Sequence, residues 1–330
     1  MSRGDVEALL DADRLIDSLA IAMVELSEGR TSMAPRGIAV LPDRDGLLGA
    51  MTAYVPSRSM LATKVVSVFP RNPERGLPSH QAVILAFDAE SGSVLACMDG
   101  TAITALRTAA GSALATRHLA RDDARVLSLL GTGVQAASHA HALTRVRPFE
   151  SVLVWGRTPK KTEDFAAGLR RDLGLQATPA SLEEAVSSAD VIVAATHAHD
   201  PVVLRAHVRP GVHINAVGLN LDGREVDPEV VRDAVVVVEA RSAALAPPAS
   251  GGANDLTWAI RDEVVDEDDI AEIGEVISGT RSGRTSPEDV TLYKSVGVSV
   301  QDAVAASLVV EAAREGGRGA WAEMSAPSAQ

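Results

Sequence analysis

The spacing of apolar positions changes along the chain, and the changes predict regions of different structure. Residues 5–28 carry apolar side chains at helical spacing, which predicts an amphipathic helical region. A stretch of short β-type runs follows, separated by Pro, Gly, Asn and Asp, and it predicts strands at GIAVL, LLGAMTAYV, TKVVSVF and HQAVILAFD. Residues 99–119 then return to an alanine-rich helical pattern.

From Arg125 onward, apolar runs alternate with helical stretches. The runs RVLSLL, SVLVWG, ADVIVAAT, VHINAVG and AVVVVEA are nearly continuous in apolar residues. Such runs are typical of strands in a parallel sheet that is covered by helices on both faces. A long helix is predicted near the C-terminus, before a small and polar tail after Gly317.

Together these patterns predict an α/β protein with two domains. Residues 120–299 are expected to form a doubly wound Rossmann domain that binds a dinucleotide. Residues 1–119 with 300–330 are expected to form an α+β domain, because this part is too rich in β-type runs to be a second nucleotide fold. We expect the α+β domain to bind the substrate and to mediate dimerisation.

Charge and composition narrow the class of protein. The formal charge of −13 over 330 residues argues against nucleic acid or an anionic membrane as a partner. The single cysteine, Cys97, cannot form a disulfide within the chain, which fits a reducing compartment. The N-terminus carries acids where a signal peptide would need an apolar core, and no apolar run approaches the roughly 18–20 residues of a membrane span. A cytoplasmic protein is expected.

The segment RVLSLLGTGVQA carries a candidate dinucleotide site. Gly131 permits a tight turn after an apolar strand, and Gly133 lets backbone approach phosphates closely. Ala136 takes the third small position, where helix and strand pack together. The free N–H groups of the following helix suit a pyrophosphate. Because strand and helix patterns flank the turn, a dinucleotide site is favoured over a purely structural turn.

Arg157 ends the second predicted strand of this domain, about 25 residues past the glycines. An acidic residue here would bind the ribose 2′-hydroxyl of NAD, whereas an arginine suits the 2′-phosphate of NADP. The alternative is a solvated loop arginine that stacks on adenine without phosphate preference. The sequence therefore favours NADP(H), with NAD(H) as the alternative.

Three basic residues of the first domain are candidates for binding a carboxylate: Arg36, Lys64 and Arg107. Arginine offers a bidentate fork to a carboxylate, and a desolvated lysine can also donate a proton. The simpler interpretation places Lys64 on the solvent face of its strand and Arg107 on the solvent face of its helix. Spacing alone does not decide between them.

The histidine pairs do not predict a metal site. His139 and His141 stand two positions apart in a predicted helix, so their side chains point in different directions. His197 and His199 follow a strand, but no cluster of cysteines or carboxylates accompanies them. We expect no metal.

Four blocks of the chain resemble the ornithine cyclodeaminase/μ-crystallin family. They include LLGTGVQAASHAHAL and INAVGLNLDGREVD and cover residues 64–120, 129–143, 214–227 and 274–297. The resemblance implies a dimeric NAD(P)-dependent enzyme of small α-amino or α-imino acids, or a member retained as a binding protein. It implies that Arg36, Lys64 and Arg107 bind the substrate carboxylate and that Lys64 also carries acid–base chemistry.

The resemblance also places residues at dinucleotide-contacting positions: Thr108, Gly131, Thr132, Gly133, Val134, Gln135, Ala136, Arg157, Thr158, Thr196, Val217, Gly218, Leu219 and Ser295.

One departure from the family bears on the reaction. Cyclodeaminases of this family place an aspartate where this chain has Asn220, and an amide cannot act as a general base at neutral pH. Asp222 lies two residues further on and could substitute only in a different loop register. The sequence therefore favours reduction of an imino acid, or amino-acid dehydrogenation, over ornithine or lysine cyclodeamination. A ligand-binding protein without activity is a third hypothesis, opposed by the filled carboxylate-binding positions.

Overall fold

A computed structural model of the chain describes residues 1–218, 220, 222–320 and 322. The chain divides into two compact units, which we call the first and the second unit. The first unit comprises residues 1–15, 29–107 and those from 299 onward, and the second comprises residues 16–28 and 108–298.

The first unit is built on a six-stranded antiparallel sheet in the order β1-β3-β4-β5-β6, with β2 also paired to β3. Side chains alternate in burial along β4, because successive residues of a strand point to opposite faces. Its strands are β1 (Ser32–Met33), β2 (Gly37–Leu41), β3 (Gly46–Val55), β4 (Met60–Val68), β5 (His80–Asp88) and β6 (Val94–Asp99).

Helix α1 (Arg3–Leu9), the C-terminal helix α11 (Ser299–Gly316) and residues 100–107 at the start of a third helix also belong to the first unit. Helix α11 packs across β3 and β4, and all of its residues up to Val310 are buried. Ser299 anchors its start by donating its hydroxyl to the carbonyl of Thr52 on β3, at 3.0 Å. This packing places the polar first turn of α11 over the buried face of the sheet.

The second unit is built on an eight-stranded parallel sheet in the order β13-β12-β14-β11-β10-β7-β8-β9. Strands β10 and β11 are buried along their whole length, as expected for a sheet covered on both faces. The strands are β7 (Val126–Leu130), β8 (Ser151–Trp155), β9 (Gln176–Pro179), β10 (Val191–Ala194), β11 (His213–Ala216), β12 (Ala234–Val238), β13 (Ala271–Glu272) and β14 (Val290–Lys294).

The order of these strands has the topology of a dinucleotide-binding domain. Strands β9-β8-β7-β10-β11 follow the order 3-2-1-4-5 of the Rossmann fold, which reverses between β7 and β10, and β14 lies beside β11. The predicted α/β fold, a doubly wound parallel sheet together with a second α+β part, is confirmed.

The remaining helices are α2 (Ala12–Ser27), α3 (Gly100–Leu119), α4 (Val134–Leu143), α5 (Pro159–Leu173), α6 (Leu182–Ser187), α7 (Pro228–Asp233), α8 (Arg241–Ala244), α9 (Asn254–Arg261) and α10 (Ile273–Ser278). The helical region predicted over residues 5–28 is two helices. The chain is extended at Leu10, and the Asp11 carboxylate accepts the Arg14 N–H at 2.8 Å at the start of the second helix. No helix in the described part of the chain is long and apolar enough to span a membrane.

Candidate functional site

Lys64 lies on the buried face of β4. It shares its side of the strand with Met60 and Ala62, which are also buried. Only 3% of Lys64 is exposed, so the solvent-facing interpretation of this lysine is wrong. A charged group here requires a partner, because burying an unpaired charge is costly.

Asp302, in the first turn of α11, pairs with two of the candidate basic residues of the first unit. One carboxylate oxygen lies 2.7 Å from Nζ of Lys64, and the other accepts a hydrogen bond from Nε of Arg107 at 3.0 Å. Arg107 also donates through Nη1 to the side-chain oxygen of Gln301, at 3.1 Å. The start of α11 thus fixes the orientation of both cations.

The electrostatics of this cluster lower the affinity of Lys64 for its proton. Burial is the largest cause, and together with the charges of Arg107 and Arg36 it outweighs Asp302, so that the pKa of Lys64 falls to about 8. The pKa of Asp302 is lowered: burial opposes the shift, but Lys64 and Arg107 outweigh it. Two buried cations share the single carboxylate of Asp302, and this positive field suits an anionic ligand. Arg36, half-buried between β1 and β2, contributes to this field.

In the second unit, the glycine turn after β7 has the shape expected of a phosphate-binding turn. Gly131 has φ of +123°, and a Cβ there would lie 2.5 Å from the carbonyl oxygen of Ala195, so only glycine fits. A Cβ on Gly133 would meet nothing within 4 Å, so the backbone faces open space. Ala136 is fully buried under the turn.

The N-terminus of α4 is free to receive an anion. Gly133 is its N-cap, no described side chain caps it, and its first turn holds no acid. Thr132 and Gln135 are half-buried around it, and Val134 is 64% exposed. These residues fit a dinucleotide whose pyrophosphate lies on the helix N-terminus.

Arg157 and Thr158 lie at the carboxyl end of β8, beside that turn. Both are exposed, and Thr158 is the N-cap of α5 without using its side chain for the cap. No acid lies in the first turn of α5. An exposed guanidinium, an available hydroxyl and a helix N-terminus fit a phosphate group.

The remaining predicted contacts of the coenzyme lie at other strand ends of the second unit, and Thr108 lies buried in α3. Thr196 follows β10, Val217 and Gly218 follow β11, and Ser295 follows β14. The Val217 N–H donates to the carbonyl of Ala194 at the end of β10, at 2.9 Å. Ligands of open parallel sheets bind outside these carboxyl ends.

Leu219 lies outside the described residues, but Asn220 beside it has a defined role. Its Nδ2 donates to the carbonyl of Ala198 at 3.0 Å, and its Oδ1 accepts the Asp222 N–H at 3.0 Å. A carboxylate could not make the first of these bonds. Asp222 is exposed, so the amide of Asn220 shapes this loop and directs Asp222 to solvent.

The histidines make no cluster of ligands. His139 is buried and bonded to the carbonyl of Gln135 and to Ser112, and burial lowers its pKa to about 4, so it is neutral. His197 and His199 are exposed. Within the described ranges, no group of three potential ligands is placed to hold a metal.

Sequence reasoning missed Asp302 and a second buried carboxylate, Glu225. Asp302 reads in the sequence as an ordinary acid in the first turn of a helix. Its neighbours could have indicated a buried role, because Asp302 and Gln301 stand together in an otherwise apolar helix. Glu225 gave no signal of its own within LDGREVD.

The chain is similar to known proteins over nearly its whole length. The model of the ornithine cyclodeaminase/mu-crystallin family matches residues 1–317. The ketimine reductase mu-crystallin of Rattus norvegicus is 40% identical over 319 residues, which cover 92% of this chain and 96% of the rat protein.

Two solved structures are similar over almost the whole chain. Delta(1)-pyrroline-2-carboxylate reductase of Thermococcus litoralis, in complex with NADH and L-proline, is 37% identical with a TM-score of 0.92 and covers 98% of this chain and 99% of its own. An archaeal alanine dehydrogenase dimer with bound NAD is 31% identical with a TM-score of 0.91 and covers 98% of each chain.

Proposed function

Because the chain belongs to the ornithine cyclodeaminase/mu-crystallin family, we propose that it reduces a small α-imino acid to the amino acid, or oxidises the amino acid in reverse, with a nicotinamide coenzyme. The observation that carries this proposal is the buried cluster of Lys64, Arg107 and Asp302 in a chain that also has a dinucleotide-binding sheet. We assign substrate binding to the first unit and coenzyme binding to the second.

The residues of the first unit have separate tasks in this reaction. Arg36, Lys64 and Arg107 provide the positive charge that binds the substrate carboxylate. The Nζ of Lys64 holds a proton that is given to the imine nitrogen, or taken back from the amine in the reverse direction, and a pKa of about 8 suits both. The reduced coenzyme supplies the hydride for the imine carbon.

Asn220 favours this reaction over cyclodeamination. Its amide is engaged in shaping the loop, and Asp222 is exposed to solvent, so neither supports a general base at this position. A panel of preformed cyclic imines, and of 2-oxo acids mixed with amines, should cause oxidation of the reduced coenzyme with formation of one amino acid per turnover. Release of ammonia from ornithine or lysine without net change in the coenzyme would contradict the proposal.

NADP(H) is the proposed coenzyme, on the strength of Arg157. Replacing Arg157 with alanine should raise the Kd of NADPH about tenfold or more and that of NADH by less than about twofold, because only NADPH has the 2′-phosphate. Fluorescence titration of both coenzymes measures this. Arg171→Ala, at the exposed C-terminal end of α5, is the matched control. Equal weakening of the two coenzymes would instead indicate stacking of Arg157 on adenine.

A homodimer through the antiparallel sheet of the first unit is also proposed. Leu41 is 38% exposed, Leu48 46% and Tyr54 36%, and the register of β2 and β3 places all three on one face of the sheet. Clusters of large exposed apolar side chains mark interaction surfaces. Light scattering should give twice the chain mass of 34.3 kDa, and Leu48→Asp should shift the mass to that of one chain. A wild-type protein of single-chain mass would contradict this.

A further inference from the structure

Glu225 ties together the ends of two central strands of the second unit. Its carboxylate accepts the N–H of Thr196 at 2.6 Å and the hydroxyl of the same residue at 2.7 Å. Its other oxygen accepts the N–H of Gly218 at 2.6 Å. Only 2% of Glu225 is exposed, so these hydrogen bonds replace the solvent contacts that the buried carboxylate lacks.

Lys294 and Asp255 complete the network around Gly218. Nζ of Lys294 donates to the carbonyl of Gly218 at 2.8 Å and lies 2.8 Å from a carboxylate oxygen of Asp255. The other oxygen of Asp255 accepts the backbone N–H groups of Glu225 and Val226 at 2.8 and 2.9 Å. Both polar backbone groups of Gly218 are therefore bound by buried charged side chains.

Gly218 has no room for any other residue. A Cβ there would lie 2.3–2.5 Å from the carboxyl group of Glu225. The contact places the carboxylate directly against the backbone of the strand end. The position of Gly218 is thus set by Glu225 on one side and by Lys294 on the other.

The network is charged, although it is fully buried. Every bond that the Glu225 carboxylate makes is one it accepts, which favours the ionised form. Burial raises the pKa of Glu225 above its ordinary value, against the opposing charge of Lys294. Burial in turn lowers the pKa of Lys294, but Asp255 and Glu225 outweigh it, so the pKa is raised. Buried ion pairs contribute little stability compared with apolar packing, so a network of this cost points to a need for defined geometry.

The position of the network in the sheet indicates which half of the coenzyme it serves. In a Rossmann sheet the dinucleotide lies across the switch point, here between β7 and β10. The glycine turn and Arg157 belong to the β7–β8 half. Thr196 and Gly218 end β10 and β11, in the other half, which receives the second nucleotide.

We propose that Glu225 is a positioning residue for the nicotinamide half of the coenzyme, acting through the Thr196 and Gly218 backbones that it holds. The inference rests on the proposed function in one respect, which is that the bound coenzyme is a nicotinamide dinucleotide. It assigns to Glu225 no contact with the substrate and no proton transfer.

Glu225→Gln tests this proposal. The amide nitrogen of glutamine would replace one carboxylate oxygen, and it could not accept the N–H of Gly218 or Thr196 that this oxygen accepts in the wild type. We expect the Kd of NADPH to rise about tenfold, since hydrogen bonds to a charged acceptor are lost. The Kd of 2′,5′-ADP, which represents the adenosine half, should change by less than about twofold. Calorimetry measures both, and Glu229→Gln, an exposed acid on α7, is the control.

The difference between the change in Kd for NADPH and the change in Kd for 2′,5′-ADP distinguishes positioning from a general loss of structure. Equal weakening of NADPH and 2′,5′-ADP, or no change in either, would overturn the proposal. If Glu225→Gln does not fold, Gly218→Ala displaces the same carboxylate from the opposite side, and the same difference is expected of it. A wild-type protein that binds 2′,5′-ADP but no nicotinamide coenzyme would refute the proposed function, whereas a wild-type affinity for NADPH in both variants would refute this inference alone.

Discussion

Replacing Lys64 with alanine is expected to lower kcat/KM for imino-acid reduction about 1000-fold, while the Kd of NADPH changes by less than about twofold. The variant removes the proton donor and one of the charges that bind the substrate carboxylate. The coenzyme affinity should persist because the residues assigned to it belong to the second unit. Steady-state kinetics and coenzyme titration give the two quantities.

Two further variants separate the roles of Lys64. Lys64→Arg keeps the charge but does not release a proton near neutral pH, so substrate KM should recover more than kcat does. Arg44→Ala removes an exposed cation from the turn between β2 and β3 and should behave as wild type. A near-wild-type rate in Lys64→Ala would refute the assignment of the site.

The second large effect is expected at Asp302. In the wild type, the rate of reduction should fall as the pH rises through about 8, because Lys64 then loses the proton it must donate. The reverse oxidation should rise over the same range. Asp302→Asn removes the charge that raises the pKa of Lys64 and leaves the lowering effects of burial, Arg107 and Arg36. The inflection should therefore move down by about one pH unit or more.

The same variant should also be less stable. Removing one partner of a buried ion pair costs about 3 kcal/mol, because the other charges stay buried without compensation. Urea denaturation measures the free energy of unfolding, and Glu311→Gln, on the same helix but 42% exposed in its side chain, should cost less than about 1 kcal/mol. An inflection that remains at pH 8 in Asp302→Asn would show that Asp302 does not control Lys64.

The sequence predicted the sheet of the second unit well, because its strands are apolar and its glycine turn has a distinctive pattern. The predicted strands, from RVLSLL to AVVVVEA, correspond to β7, β8, β10, β11 and β12. Such strands are buried on both faces, so local composition alone carries the signal. The turn at Gly131 could likewise be predicted. Its positive φ and the close approach of the Ala195 carbonyl require glycine at this position, so the requirement is visible in the sequence.

The four strands predicted for the first unit correspond to β2, β3, β4 and β5, but local patterns did not predict which of their polar side chains are buried. The strand TKVVSVF carries a lysine whose face is decided only by α11, more than 200 residues later in the chain. Asp302, on that helix, is what makes a buried Lys64 tolerable. The networks at Asp302 and Glu225 join residues far apart in sequence, and no spacing rule reports such contacts. Residues 16–28 give a similar case, since they group with the second unit despite their N-terminal position.

Transfer of hydride to an imine carbon is the central claim, and isotope transfer tests it most directly. The protein would be incubated with Δ1-pyrroline-2-carboxylate and NADPH or NADH carrying deuterium at the transferable position of the nicotinamide. The account predicts an amino acid that bears one deuterium on its α-carbon, formed in equal amount to the coenzyme oxidised. Deuterium absent from the product, or an imino acid left unreduced by both coenzymes while ornithine or lysine releases ammonia, would contradict it.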